Sequence, residues 1–358
     1  MKTRKNLVAK SFIWFFLIVF AIAGARELGE AVSPSKLPAT VGIGTHPVGG
    51  GYYASGSAVA VLLSEKTKIR AVVQPFSGPN AWMPLLHTGK LELGLLTAGD
   101  AYFAYRGESG YDKPYTNLRL VLYGTRGRAT TFTVMKHSGI KRIVELKGKR
   151  VASRYGGNQM NHFNSEAMLS SVGMSWGDVV PVPVTDYSTC LRLLQEGRID
   201  AGTSGTTTTS AALELHNAVG LNVLAFGDMQ PADIAKGVPP DKQAIIDQFC
   251  PGFSLSVAKA GEGIIEKDTV LLSFSIILAA SAHLSEDAVF VILKTIWENY
   301  TDLHPTHVWL RDWKPDTMAA DNQSVPYHSG AVKFYKEKGV WTSAMGKRQE
   351  DLLRLVKQ

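Results

Sequence analysis

The sequence has few cysteines and no long hydrophobic run. Only Cys190 and Cys250 occur among 358 residues, which excludes a disulfide scaffold and a cysteine-rich metal module. No stretch reaches the ~20 apolar residues that a membrane-spanning helix needs. The motifs G-x-S-x-G, H-E-x-x-H and C-x-x-C are absent. With 45% hydrophobic and 19% charged residues, the composition indicates a globular protein with one or two cores.

The first 25 residues predict a secretory signal peptide. A basic start precedes the apolar run Ser11–Gly24, and Ala23–Ala25 is a small-x-small cleavage site. The alternative is an uncleaved N-terminal anchor, for which the run is short. Cleavage after Ala25 removes four basic residues and lowers the formal net charge from +7 to +3. We therefore expect a soluble exported protein without a nucleic-acid partner. In an oxidising compartment the two cysteines have two possible states, a disulfide or two buried free thiols.

Short strand patterns alternate with helical patterns, which predicts an α/β fold built on parallel strands and crossover helices. The predicted strands cover residues 40–44, 69–75, 91–97, 118–124, 131–135, 149–153, 179–184, 221–226 and 254–258. The predicted helices cover 52–64, 81–87, 211–216, 286–300, 325–338 and 348–357. The apolar segment Val270–Ala280 fits either a buried strand or a core helix.

An internal near-repeat predicts two lobes of related construction. Residues 85–94 (LLHTGKLELG) are echoed 108 positions later by residues 193–202 (LLQEGRIDAG). Each copy reads as a helix end, a glycine that terminates it and a short strand. We expect lobe I to comprise 26–122 and 253–358 and lobe II to comprise 123–252, so that the chain crosses between them twice.

Three polar or glycine-rich segments precede predicted helices. Gly42–Gly49 has the wrong glycine spacing for a dinucleotide fingerprint, but the free backbone N–H groups at Gly50–Tyr53 suit a carboxylate. Tyr155–Asn161 and Ser204–Ser210 also place hydroxyls and amides at helix starts. Each segment alone fits a helix cap, whereas the three together fit a ligand held in a crevice between two lobes.

Other candidate groups carry weaker signals. His304 and His307 have an intervening proline and no third ligand nearby, so no metal site is predicted. Arg154, at a strand end, fits either a clamp for a carboxylate or an ordinary salt bridge. Aromatic side chains that fit either pocket walls or the core are Tyr52, Tyr53, Trp82 and Tyr102.

Four segments together resemble the TAXI family, the extracytoplasmic solute receptors of TRAP transporters. They are Gly49–Tyr53 (GGGYY), Gly89–Gly94 (GKLELG), Ala101–Gly107 (AYFAYRG) and Val325–Gly339 (VPYHSGAVKFYKEKG). The resemblance extends over nearly all of the chain after residue 25. It implies a type II periplasmic binding-protein fold, with two α/β lobes joined by a two-crossing hinge and a ligand cleft between them. It also implies capture of a small organic anion, often a carboxylate, and its delivery to a TRAP membrane permease, with no catalysis, no cofactor and no ATPase partner.

The sequence departs from the family pattern in its contact loops. Gly78, Pro79 and Trp82 replace a Gly-Ser turn and its following Asn, and Asp100 is displaced by one position after Thr97. The turn of the second lobe is replaced around Asn158–Asn161, so the family's amino-acid and dicarboxylate ligands are not carried over. A wider or more apolar cleft, with Trp82 as one wall, is consistent with these changes.

These arguments give a set of predicted ligand-binding residues on a monomeric receptor. The set comprises Thr45, His46, Gly50, Gly51, Tyr52, Tyr53, Ser77, Trp82, Thr97, Arg154, Asn158, Gln159, Asn161, Thr206, Thr207 and Thr208. The alternatives are an ABC-type binding protein, a secreted enzyme on the same two-lobe fold and a sensory binding lobe. No signalling or membrane segment follows the receptor region to support the last of these.

Overall fold

The computed structural model describes residues 37–355. The predicted signal peptide and its cleavage site near Ala25 lie outside the described residues. Within 37–355, none of the helices has the length and apolar character needed to cross a bilayer.

Ten strands and eleven α-helices alternate along the described chain. The strands are β1 (Thr40–Thr45), β2 (Arg70–Pro75), β3 (Leu93–Thr97), β4 (Leu118–Arg128), β5 (Thr133–Met135), β6 (Arg150–Ser153), β7 (Val180–Pro183), β8 (Leu221–Val223), β9 (Ser254–Ala258) and β10 (Thr269–Ser281). The helices are α1 (Gly51–Lys66), α2 (Pro79–His87), α3 (Ala98–Arg106), α4 (Met160–Ser170), α5 (Tyr187–Gln195), α6 (Ser210–Val219), α7 (Pro240–Phe249), α8 (Glu286–Glu298), α9 (Tyr300–Leu303), α10 (Ser329–Glu337) and α11 (Ser343–Arg354).

Lobe I is built on a mixed six-stranded sheet. Its order is β2-β1-β3-β10-β4, and β9 pairs with the first half of β10. Strands β1, β2 and β3 are parallel, whereas β10 runs antiparallel to β3, β4 and β9. Nearly every residue of β10 is buried, as a strand covered on both faces requires, so the apolar segment 270–280 is a strand and not a helix.

Lobe II has a fragmented sheet. Strand β5 pairs with β8 and β6 pairs with β7, and single bridges at Ala201 and Gly202 link the two pairs. The near-repeat is visible here, because Gly89 and Gly197 end corresponding helices with φ of 72° and 63°. In lobe I the following residues form β3, whereas in lobe II they form only those bridges. Strand β4 runs through residues 122 and 123 without interruption and β9 begins just after residue 253, so the exact lobe boundaries stay a prediction.

The two cysteines are buried free thiols, in agreement with the second of their two predicted states. Burial raises the pKa of the Cys190 thiol to about 12, which leaves it protonated and unreactive.

Candidate functional site

A cavity lies where the two lobes meet. The space open to the centre of a water molecule measures about 40 Å³, enough for a few waters in the closed state. Lobe I contributes the end of β1, the start of α1, the start of α3 and three aromatic residues from later in the chain. Lobe II contributes the start of α4, the start of α5 and the turn before α6. The lining residues are His46, Gly50, Gly51, Tyr52, Thr97, Asp100, Ala129, Asn158, Met160, Asn161, Asn164, Tyr187, Gly205, Thr206, Thr209, Phe253, Phe274 and Trp309.

Half of the sequence-predicted site residues line this cavity. These are His46, Gly50, Gly51, Tyr52, Thr97, Asn158, Asn161 and Thr206. The other eight, which lie elsewhere, are Thr45, Tyr53, Ser77, Trp82, Arg154, Gln159, Thr207 and Thr208. A residue that lines the cavity is not thereby shown to contact a solute, so the binding role of these eight lining residues stays a prediction.

Trp82 is a core residue and not a wall of the cleft. Its side chain is fully buried and lies across Gly44 of β1 and Gly94 of β3, which are paired in the sheet. A Cβ added at Gly94 would lie 2.5 Å from the indole ring, and one at Gly44 would lie 3.2 Å from it. The two glycines therefore provide the room that lets α2 pack directly on the backbone of the sheet.

Arg154 does not provide the predicted clamp for a carboxylate. The residue is exposed, lies outside the cavity and has a left-handed backbone with φ of 65°. Its backbone N–H donates to His162 Nδ1 at 3.3 Å. A strand-end position in the sequence does not reveal that the Arg154 side chain lies outside the cavity.

The threonines before α6 mainly stabilise their own turn and its neighbours. The Thr209 hydroxyl accepts from the Thr206 N–H at 3.0 Å, and the Thr207 hydroxyl donates to Glu262 at 3.0 Å. Glu262 in turn pairs with Arg128 at 2.9 Å. The Thr208 hydroxyl is buried without a partner among the described residues. Of the three predicted threonines, Thr206 alone lines the cavity, and Thr207 bonds instead to Glu262.

Direct hydrogen bonds join the two lobes. The Tyr187 hydroxyl donates to Pro47 O and the Ser210 N–H donates to Gly49 O, each at 3.0 Å. The Gln159 N–H donates to Asn80 Oδ1 at 2.9 Å. The predicted ligand residues Ser77 and Gln159 belong to this contact rather than to the cavity, since Ser77 packs against Gly157. The structure therefore represents a closed conformation of the two lobes.

The start of α1 has free backbone donors and no room for side chains. Gly50 precedes the helix without a side-chain cap, and no described group accepts a hydrogen bond from the N–H of Gly51 or Tyr52. A Cβ at Gly51 would lie 2.6 Å from the Trp309 ring, and one at Gly50 would lie 2.6 Å from the Tyr187 hydroxyl. A side chain at Gly51 would therefore overlap Trp309, independently of any solute.

A model of the NMT1-like family matches residues 43–339, which includes both lobes and every residue that lines the cavity. The chain belongs to the NMT1-like family.

Solved structures similar to this NMT1-like protein share its fold. Rpa4515 of R. palustris, determined with adipate, is 16% identical, with a TM-score of 0.52 over 90% of this chain and 98% of that one. PhnD1 of Prochlorococcus marinus, determined with methylphosphonate, is 11% identical, with a TM-score of 0.51 over 85% and 100%. The alkanesulfonate-binding protein SsuA of Xanthomonas axonopodis pv. citri, bound to MOPS, is 15% identical, with a TM-score of 0.46 over 88% and 85%. The similarity to Rpa4515 and PhnD1 shows that the protein has their fold, in agreement with the predicted two-lobe α/β architecture.

Two residues that line the cavity of this NMT1-like protein, one from each lobe, carry buried polar atoms without a partner in the described chain. His46 Nε2 in lobe I and Asn158 Oδ1 in lobe II are buried, and neither has a hydrogen-bond partner among the described residues. Burial lowers the pKa of His46 to about 3, so its imidazole is neutral and one ring nitrogen is an acceptor. Buried polar groups are normally paired, so these two atoms indicate where a bound molecule would supply hydrogen bonds.

Asp100 is the acidic side chain of the cavity, and its environment disfavours the charge. Burial raises its pKa to about 6, against the lowering effect of hydrogen bonds from Thr97. No Lys or Arg of residues 37–355 lines the cavity, and no cluster of potential metal ligands occurs among them. Asp100 was not among the predicted site residues and was noted only for its displacement from the family pattern. Its place three positions after Thr97 is nevertheless a recognisable helix-capping signal. Phe253, Phe274 and Trp309 had no local signal, because distant parts of the chain bring them to the cavity.

Proposed function

We propose that this protein is a periplasmic solute receptor that closes its two lobes around a small organic solute in the cavity. The observation that carries the proposal is the pair of orphaned polar atoms, His46 Nε2 and Asn158 Oδ1, on residues that line one cavity from opposite lobes. A solute that bonds to both atoms contacts both lobes at once only when they are closed. Its binding energy would therefore favour the closed conformation.

The proposal includes delivery of the solute to a membrane permease driven by an ion gradient, of the TRAP type. Its support is the resemblance of the segments 49–53, 89–94, 101–107 and 325–339 to the TAXI receptors. The receptor would act as an exported monomer, with lobe I formed by 26–122 and 253–358 and lobe II by 123–252.

The proposal also places the predicted carboxylate of the solute at the start of α1. No cationic side chain of residues 37–355 lines the cavity, so we propose that an anion accepts from the free N–H groups of Gly51 and Tyr52, which the positive end of the helix dipole supports.

The test is calorimetry with a solute identified by native mass spectrometry of protein purified without refolding. Asn158→Leu removes the lobe II acceptor while keeping a similar volume, and we expect at least tenfold weaker binding with little loss of stability. Asn322→Ala, an exposed change outside the cavity, is the matched control. Equal affinity of Asn158→Leu and the control would place the solute elsewhere.

A further inference from the structure

The charges at the cavity are all of one sign. Asp100 is 1% exposed, and no Lys or Arg in the described part of the chain lines the same cavity. The other titratable groups that face this carboxyl are Tyr52 from α1 and Tyr111 from the segment after α3, both of which burial keeps neutral by raising their pKa. His46, in ring contact with Tyr52 at 3.9 Å, is neutral as well. The lining formed by residues 37–355 therefore supplies no positive charge to balance Asp100.

One carboxylate oxygen of Asp100 is almost free. Oδ2 accepts from the Thr97 hydroxyl at 2.7 Å, and the Asp100 N–H donates to Thr97 Oγ1 at 2.8 Å, which together cap α3. Oδ1 has only the Tyr111 hydroxyl, at a long 3.5 Å. Helix capping thus explains Oδ2 and leaves Oδ1 with unused acceptor capacity. An ionised carboxylate in this state is costly unless a partner arrives from outside the protein.

Aromatic rings form much of the remaining wall. Tyr52 and Trp309 meet edge to face at 5.3 Å, and Phe253 and Phe274 lie 5.2 Å apart. Aromatic faces attract cations, and the attraction is strongest in desolvated sites. A carboxylate together with aromatic walls is the complement of a nitrogen cation on a small organic framework.

We propose that Asp100 is a specificity-determining residue that binds a positively charged nitrogen of the solute through Oδ1, while the aromatic rings pack against its carbon framework. This inference rests on the proposed receptor function. It assigns the solute to the amines and other organic cations, including those that also carry a carboxylate. A solute with only carboxylates would meet Asp100 as a like charge or would have to bind its protonated form.

The sign of the pH dependence distinguishes these two cases. A cation binds the ionised carboxylate, whose population rises about tenfold between pH 5 and pH 7 for a group with a pKa of about 6. Affinity for an amine should therefore increase about tenfold over this interval. A carboxylate that accepts a hydrogen bond from protonated Asp100 would bind more weakly as the pH rises, by a similar factor.

The experiment measures binding of matched probes to the full mature protein by calorimetry at pH 5 and pH 7. The probes are an amine, an alcohol and a carboxylate on a butyl and on a benzyl framework, together with 4-aminobutyrate. Asp100→Asn removes the charge, and Glu108→Gln removes one charge at an exposed position outside the cavity as the control. We expect the amine-bearing probes to bind best, to bind about tenfold more tightly at pH 7 and to lose at least tenfold in affinity in Asp100→Asn only.

Each other outcome is decisive. If carboxylates or alcohols bind better than the amines, or if amine binding is unchanged in Asp100→Asn, the inference is wrong and the receptor function stands. If Asp100→Asn fails to fold, the pH dependence of the unmodified protein decides in the same way. If no probe of any class binds and the purified protein carries no organic solute, both the receptor function and the inference are overturned.

Discussion

The hydroxyl of Tyr187 offers a direct test of lobe closure. It donates to Pro47 O at 3.0 Å across the two lobes, and Tyr187→Phe removes this bond while keeping the ring. In an open state the same hydroxyl would bond to water, so its removal destabilises only the closed state. A hydrogen bond of this kind contributes about 0.5–1.5 kcal/mol, which corresponds to about 2- to 12-fold weaker solute binding.

Calorimetry and small-angle scattering together measure this effect. Every solute should lose affinity by the same factor in Tyr187→Phe, because the change acts on closure, and the fraction of compact protein at a fixed subsaturating solute concentration should fall. Tyr300→Phe, at a half-buried residue away from the cavity, is the control. If Tyr187→Phe lowers the melting temperature of the solute-free protein but leaves solute affinity unchanged, the hydroxyl serves the fold and the argument for closure fails.

Three further substitutions test the packing and the charges. Trp82→Ala should lower the free energy of unfolding, measured in urea, by about 3–5 kcal/mol, while the folded fraction keeps its solute affinity. A loss of affinity without a loss of stability would show that Trp82 contacts the solute after all. Gly51→Ala should cost about 1–3 kcal/mol through overlap with Trp309, and adding Trp309→Leu should recover part of it in the same measurement, whereas no recovery would locate the strain elsewhere. Because burial raises the pKa of Asp100 from 3.8 to about 6, protonation of this group stabilises the folded protein fully below pH 3.8. This contribution to the free energy of unfolding is lost as the pH rises through about 6. Asp100→Asn should therefore stabilise the solute-free protein at pH 7 by up to about 3 kcal/mol, and destabilisation would mean that the protein itself compensates the charge.

The sequence predicts the elements of this fold well, because strands and helices follow local patterns. The boundaries of β1 and β9 agree with prediction to within one residue. The segment 270–280 was ambiguous, since a strand buried on both faces and a core helix have the same continuous apolar composition. The reduced sheet of lobe II could not be foreseen, because isolated bridges depend on how distant segments meet.

The site was only half predictable from sequence. His46 and Asn158 stand in polar segments before helices, which is a local signal for a position at the carboxyl ends of strands. Trp82 and Arg154 were placed wrongly because the sequence does not show which way a side chain points. Trp82 fills a space made by Gly44 and Gly94, and that pairing is visible only once the strands have been aligned.

The place of β10 in the sheet has a consequence for how the chain acquires its structure. This strand lies between β3 and β4, yet 140 residues separate the end of β4 from its start. In the described sheet, β4 and β9 are joined to the parallel strands β2, β1 and β3 through β10, so the sheet of lobe I is complete only once residues 269–281 are in place. Such late, long-range pairing slows folding, and the unpaired edges of β3 and β4 are available to any other extended chain in the meantime. A fragment that ends before Thr269 would leave these edges unpaired permanently.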